Sequence, residues 1–232
     1  MSNEQRPEEE ELTFIADEDV EYQPATESNV LWILSTIISY IFHPILLATY
    51  SFVFVDVFFP YQFLHLGPQQ KTQLMLTIVT NTLVFPVIVL ALMRGLKMIS
   101  SFELKTNKER IIPFIAISLF YFWTYLVVQK LGVGHYFSHI SLGASLGIFM
   151  AFFANVFYKI SIHAVGVGGF FGVALTLTLI STYNLLLPLL LVIVIVGAVG
   201  SARLFLGAHT PREVVSGYMV GLLGQMVAFS YF

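Results

Sequence analysis

Apolar residues in this chain fall in long unbroken stretches, with neither the alternation of strands nor the one-sided spacing of surface helices. Seven stretches approach the roughly 20 residues that a helix needs to cross a bilayer. They cover approximately 38–59, 73–93, 111–130, 138–158, 163–181, 184–202 and 211–230. The first is ambiguous, because apolar character begins at Val30 and Pro44 lies inside it, where a missing amide kinks a helix. Residues 30–42 are therefore candidates for an interfacial segment. Continuous runs with few interruptions argue against a membrane β-barrel, whose strands alternate. The expected fold is all-α, a polytopic bundle of six or seven spanning helices.

Three of the helices carry glycines four apart: Gly143 with Gly147, Gly168 with Gly172, and Gly217 with Gly221. Such pairs let helix backbones approach closely in lipid, and packing is the expected role. Seven crossings would bring the connections after the second, fourth and sixth helices to the side of the N-terminal tail. Those connections hold Lys105, Lys108 and Arg110; Lys159, Ser161 and His163; and Arg203, His209, Arg212 and Glu213. The opposite face offers Lys71, Lys130, Asp56, His65 and a helically spaced His135 and His139 pair, half of a metal site at most.

Composition strengthens the membrane reading: 57% of residues are hydrophobic, 11% are charged and the mean hydropathy is +0.82. The net charge of −3 conceals an asymmetry. Ten of the fourteen acids lie in the first 29 residues beside a single Arg6, leaving four acids against ten Lys and Arg in the rest. Residues 1–29 read as a disordered acidic tail without the basic start and apolar stretch of a secretory signal, and 30–232 as the helical domain. The absence of cysteine excludes disulfide and thiolate chemistry. Nucleic acid is not an expected partner, since the basic residues punctuate membrane segments without forming a solvent-facing stripe. Nine Lys and Arg fall on the tail side and two opposite, which by the positive-inside rule places that side in the cytoplasm. The expected setting is a bacterial inner membrane.

Two histidines, several cations and a carboxylate at one membrane surface suit a reaction on phosphate. Cations neutralise charge that develops on the non-bridging oxygens. One imidazole can attack phosphorus while the other protonates the leaving oxygen, and a carboxylate on the attacking ring fixes its tautomer. Each residue also has a structural role to weigh. Thr210-Pro211-Arg212-Glu213 reads as a capping box with proline at the first helical position. Ser161 can cap the helix that starts near His163, Arg212 can anchor at the headgroups, and His43 before Pro44 reads as an interior hydrogen-bonding residue of a kinked helix.

Arg203, five residues, His209, three residues and Glu213 resemble the third signature of the type-2 phosphatidic acid phosphatase superfamily, S-R-x5-H-x3-D. Ser161-Ile162-His163 is similar to its second, P-S-x-H. Its first, K-x6-R-P, is partly matched by Lys105 and Pro113, with Ile112 at the arginine position and Arg110 two residues earlier. Ala202 separates Ser201 from Arg203, Ile160 replaces the proline, and Glu213 stands for the aspartate. The resemblance covers about Lys105 to Gly217. It implies a phosphohydrolase that needs no metal or other cofactor, with His209 as nucleophile, His163 as general acid and Glu213 as relay carboxylate. Lys105, Arg110, Ser161 and Arg203 would hold phosphate, with Lys108 a further candidate that the motif does not name. The implied substrate is a lipid phosphate or polyprenyl pyrophosphate within the membrane lipids. The alternative is a catalytically silent phospholipid-binding or lipid-moving protein of the same fold.

Overall fold

A computed structural model describes residues 29–60, 66–102, 104, 106–132 and 135–230. These residues are all-α and form eight helices: α1 Asn29–Ile41, α2 Pro44–Phe58, α3 Pro68–Gly95, α4 Asn107–Lys130, α5 His135–Phe157, α6 Ile162–Ile180, α7 Leu186–Phe205 and α8 Pro211–Ser230. Helices α3 to α8 are each long and apolar enough to span a bilayer, so the protein is a multi-pass integral membrane protein. The acidic tail, apart from Asn29, and His65 lie outside the described residues.

The ambiguous first stretch is two helices bent by 62°. Pro44 starts α2, where no amide is required, and the Ile45 amide donates to the His43 Nδ1 at 3.4 Å. Helix α3 stays continuous through Pro86 by a π-turn at Thr80–Val84 just ahead of it. The wider turn relieves the proline clash with the preceding carbonyls.

The centre of the bundle is α8 packed against α6 and α5. A Cβ at Gly221 would collide with the Val165 carbonyl and lie 2.6 Å from the Gly169 amide nitrogen; one at Gly224 would lie 2.6 Å from the Gly147 nitrogen. Only hydrogen fits at these crossings, and the glycine pairs serve packing as expected. Gln225 wedges beside them, its Nε2 donating to the Ile140 carbonyl at 3.2 Å. These contacts fix α8 against α5 and α6.

Candidate active site

A cavity of about 720 Å³ opens where α4, α6 and α8 begin and α5 and α7 end. Its mouth carries His43, Arg110, Lys159, His163, Arg203 and His209. The sequence between α7 and α8 explains the placement of its last two. Arg203 occupies the final turn of α7, at the negative end of the helix dipole. Gly207, at φ 60°, takes the left-handed conformation that ends the helix, and the Ala208 amide donates back to the Arg203 carbonyl at 3.2 Å. Thr210 then starts α8, its Oγ1 accepting from the Glu213 amide at 3.4 Å. This tight reversal leaves His209 directly ahead of the cap and Glu213 in the first turn.

His209 Nδ1 and Glu213 Oε2 lie 2.5 Å apart. With Nδ1 held by the carboxylate, Nε2 is the ring nitrogen with a lone pair for chemistry. His209 is 7% exposed. Burial, followed by the charges of Arg203, Lys159 and Arg110, pulls its pKa down to about 3. The Glu213 carboxylate also takes a hydrogen bond from the Thr210 backbone. Capping and orienting His209 are therefore compatible roles of one carboxylate, which the sequence had set against each other.

His163 faces the same cavity from the first turn of α6. Its Nε2 is 3.2 Å from the Ser39 carbonyl oxygen; a carbonyl only accepts, so Nε2 bears the proton. The Arg203 Nη1 donates to Ser39 Oγ at 3.3 Å, and its charge acts on both His163 and His209. Helix α1 thus closes over the two residues through Ser39. The His43 ring meets that of His163 edge to face, with centroids 5.6 Å apart.

The other expected phosphate ligands are distributed differently. Arg110 lines the cavity, but its guanidinium is braced inside the protein, donating to the Leu104 and Ile160 carbonyls at 2.7 and 2.8 Å and to Asn155 at 3.5 Å. Ile112 is 48% exposed on the outer side of α4. Two residues turn a helix by about 200°, so an inward-facing arginine on this helix belongs at 110 and not at 112. Ser161 is fully buried; its Oγ accepts from the Ala164 amide, and its own amide donates to the Glu213 carbonyl, joining α6 to α8. Ser161 and the exposed Lys108 do not line the cavity, and Lys105 lies outside the described residues.

Three cavity residues were not selected from the sequence. Lys159 donates to the Ala208 carbonyl at 3.2 Å, bracing the loop before His209; its position two residues before Ser161 was the available signal. His43 had only its neighbour Pro44, and Ser39 had none. On the opposite face the His135 and His139 rings stack with centroids 6.1 Å apart, and among the described residues no third His, Asp or Glu joins them.

No protein-family model, curated protein or solved structure matches the chain. The functional reading accordingly rests on the site itself.

The low pKa of His209 has a consequence for stability. The imidazole binds its proton more readily in the unfolded chain, near pH 6.5, than in the folded one, near 3. Between those values the unfolded state holds more protons, so this residue's contribution is present above pH 6.5 and is lost as pH falls toward 3. Melting temperature in detergent is expected to fall from pH 7 to pH 4, and to fall less steeply in His209→Gln. Equal slopes would contradict the electrostatic picture.

Proposed function

We propose that the protein is a membrane-embedded lipid phosphate or polyprenyl pyrophosphate phosphohydrolase that works through a phosphohistidine on His209. The observation that carries this reading is the His209–Glu213 pair at the mouth of a cavity shared with Arg203, Lys159 and His163. It agrees with the signature resemblance in the type-2 phosphatidic acid phosphatase superfamily. Arg203 and Lys159 would attract the phosphate and neutralise the charge that grows on its oxygens. The Nε2 lone pair of His209 attacks phosphorus as the bond to the leaving oxygen breaks, and protonated His163 gives that oxygen its Nε2 proton. Glu213 stabilises the cationic ring so formed. Water then attacks the phosphohistidine, His163 accepts its proton, and inorganic phosphate leaves.

The test is phosphate release from phosphatidic acid and from a polyprenyl pyrophosphate by purified protein in detergent with EDTA. Release with no added metal is expected; the absence of release from every lipid phosphate, with phosphate still raising the melting temperature, would favour the silent binding protein. The contacts of Ser39 with His163 and Arg203 are the observation that favours this second reading, because they occupy groups that turnover requires.

The excess of Lys and Arg on the site's face supports a cytoplasmic orientation of that face. The chain has no cysteine, so Lys108→Cys supplies one exposed thiol at this face. Impermeant maleimide should label it in inside-out vesicles and not in right-side-out cells; the reverse pattern inverts the topology.

A further inference from the structure

The cavity does not end at the charged mouth. It continues between the helices to Ile117 and Tyr121 of α4, Ile140 and Ala144 of α5, Phe170 of α6 and Gln225 of α8. Tyr121 and Gln225 each lie 14 residues beyond the first residue of their helix. At 1.5 Å per residue, both helices put the floor roughly 20 Å below the mouth. That depth exceeds half of a bilayer's ~30 Å hydrocarbon core.

Apart from Gln225 Oε1, which has no hydrogen-bond partner among the described residues, the polar side chains along this shaft are turned into its wall. Ser51 Oγ donates to the Leu47 carbonyl at 2.9 Å, Tyr121 Oη to the Thr82 carbonyl at 3.3 Å, and Gln225 Nε2 to the Ile140 carbonyl at 3.2 Å. What remains along the shaft is largely hydrocarbon, from Leu47, Ala48, Ile117, Ile140 and Phe170. A sugar or a nucleotide would find few hydrogen-bonding partners there and would lose its own to water. The rim has a different character, with Trp32, Tyr40 and Phe102 all more than half exposed, the aromatic composition of a membrane–water boundary.

From the cationic mouth above an apolar shaft, we infer that the substrate is an amphiphile of which one long hydrocarbon chain enters the protein, with its phosphate at His209 and its chain end near Ala144 and Gln225. The inference rests on the proposed hydrolytic reading for the role of the mouth and assigns it a substrate class. Helix side chains then replace lipid around the chain, and the floor sets a length limit.

The experiment uses straight-chain alkyl phosphates from octyl to octadecyl, presented to the full-length protein at fixed micellar mole fraction, together with a hexadecyl phosphate bearing a terminal photoreactive diazirine. The chains are already out of water in the micelle, so kcat/KM is expected to hold a plateau for chains that fit the shaft and to fall for chains longer than the floor allows. Ala144→Phe should move that fall to shorter chains, and Ala48→Phe, nearer the mouth, to shorter ones still. The diazirine should label residues 140–144, Tyr121 or Gln225, in the wild type and equally in His209→Ala. Labelling confined to lipid-facing residues such as Leu119 or Leu187 would overturn the chain site. So would hydrolysis that is indifferent to chain length. Floor labelling in a protein that hydrolyses none of the series would retain the chain site and remove the phosphohydrolase reading, so the two fail separately.

Discussion

His209→Ala is expected to reduce lipid phosphate hydrolysis to background, a loss on the order of 10⁴- to 10⁶-fold in kcat, as for removal of a covalent nucleophile elsewhere. The 2.5 Å contact between Nδ1 and Glu213 leaves Nε2 to attack. Burial and the charges of Arg203, Lys159 and Arg110 hold the pKa of the ring near 3, which keeps it neutral at pH 7. Glu213→Gln should cost less, roughly 10²- to 10⁴-fold, because the ring stays in place while its tautomer and developing charge lose support. A denaturing quench held at alkaline pH, with substrate radiolabelled in its phosphate, should trap phosphohistidine in the wild type and not in His209→Ala. Melting temperatures within a few degrees of the wild type establish that each variant is folded. Full turnover by folded His209→Ala would remove the mechanism.

The second large effect concerns the scaffold. Gly221→Ala is expected to destabilise the protein by about 1–3 kcal/mol, and Gly221→Val by more. The added carbon would meet the Val165 carbonyl and the Gly169 amide, which belong to the backbone of α6 and cannot rotate away. Helix α8 would have to retreat, opening its crossings with α5 and α6 and displacing Glu213 at its first turn. Gly197→Ala in α7 is the matched control, since nothing lies within 4 Å of its added carbon. It should be neutral or stabilising by up to about 1 kcal/mol. A Gly221→Ala variant as stable as Gly197→Ala in a detergent melting series would show that close packing does not govern Gly221.

The difference between those two glycines shows how far local pattern extends. The apolar runs located the spanning helices closely: the stretch at 163–181 corresponds to Ile162–Ile180, and that at 211–230 to Pro211–Ser230. Helix α4 starts earlier than its apolar run, at Asn107, because Thr106 and Glu109 form a capping box that carries the helix through polar residues. Pro44 marked the break between α1 and α2, but the fold of α1 over the site, with Ser39 on His163 and Arg203, had no local signal. A serine in an apolar helix looks the same whether it bonds to its own turn or reaches another helix.

By itself the sequence determined the all-α membrane class, the convergence of charged connections on one face, and the short-range geometry of His209 and Glu213, because hydropathy and i,i+4 spacing are local quantities. Tertiary structure decided which cations face the cavity and which brace the wall: Arg203 and Lys159 at the mouth, Arg110 tied to three internal acceptors, and Ser161 spent on the α6 cap. It also decided that the cavity continues into the bundle as an apolar shaft. These are relations between helices brought together by close packing, and no one-dimensional pattern carries them.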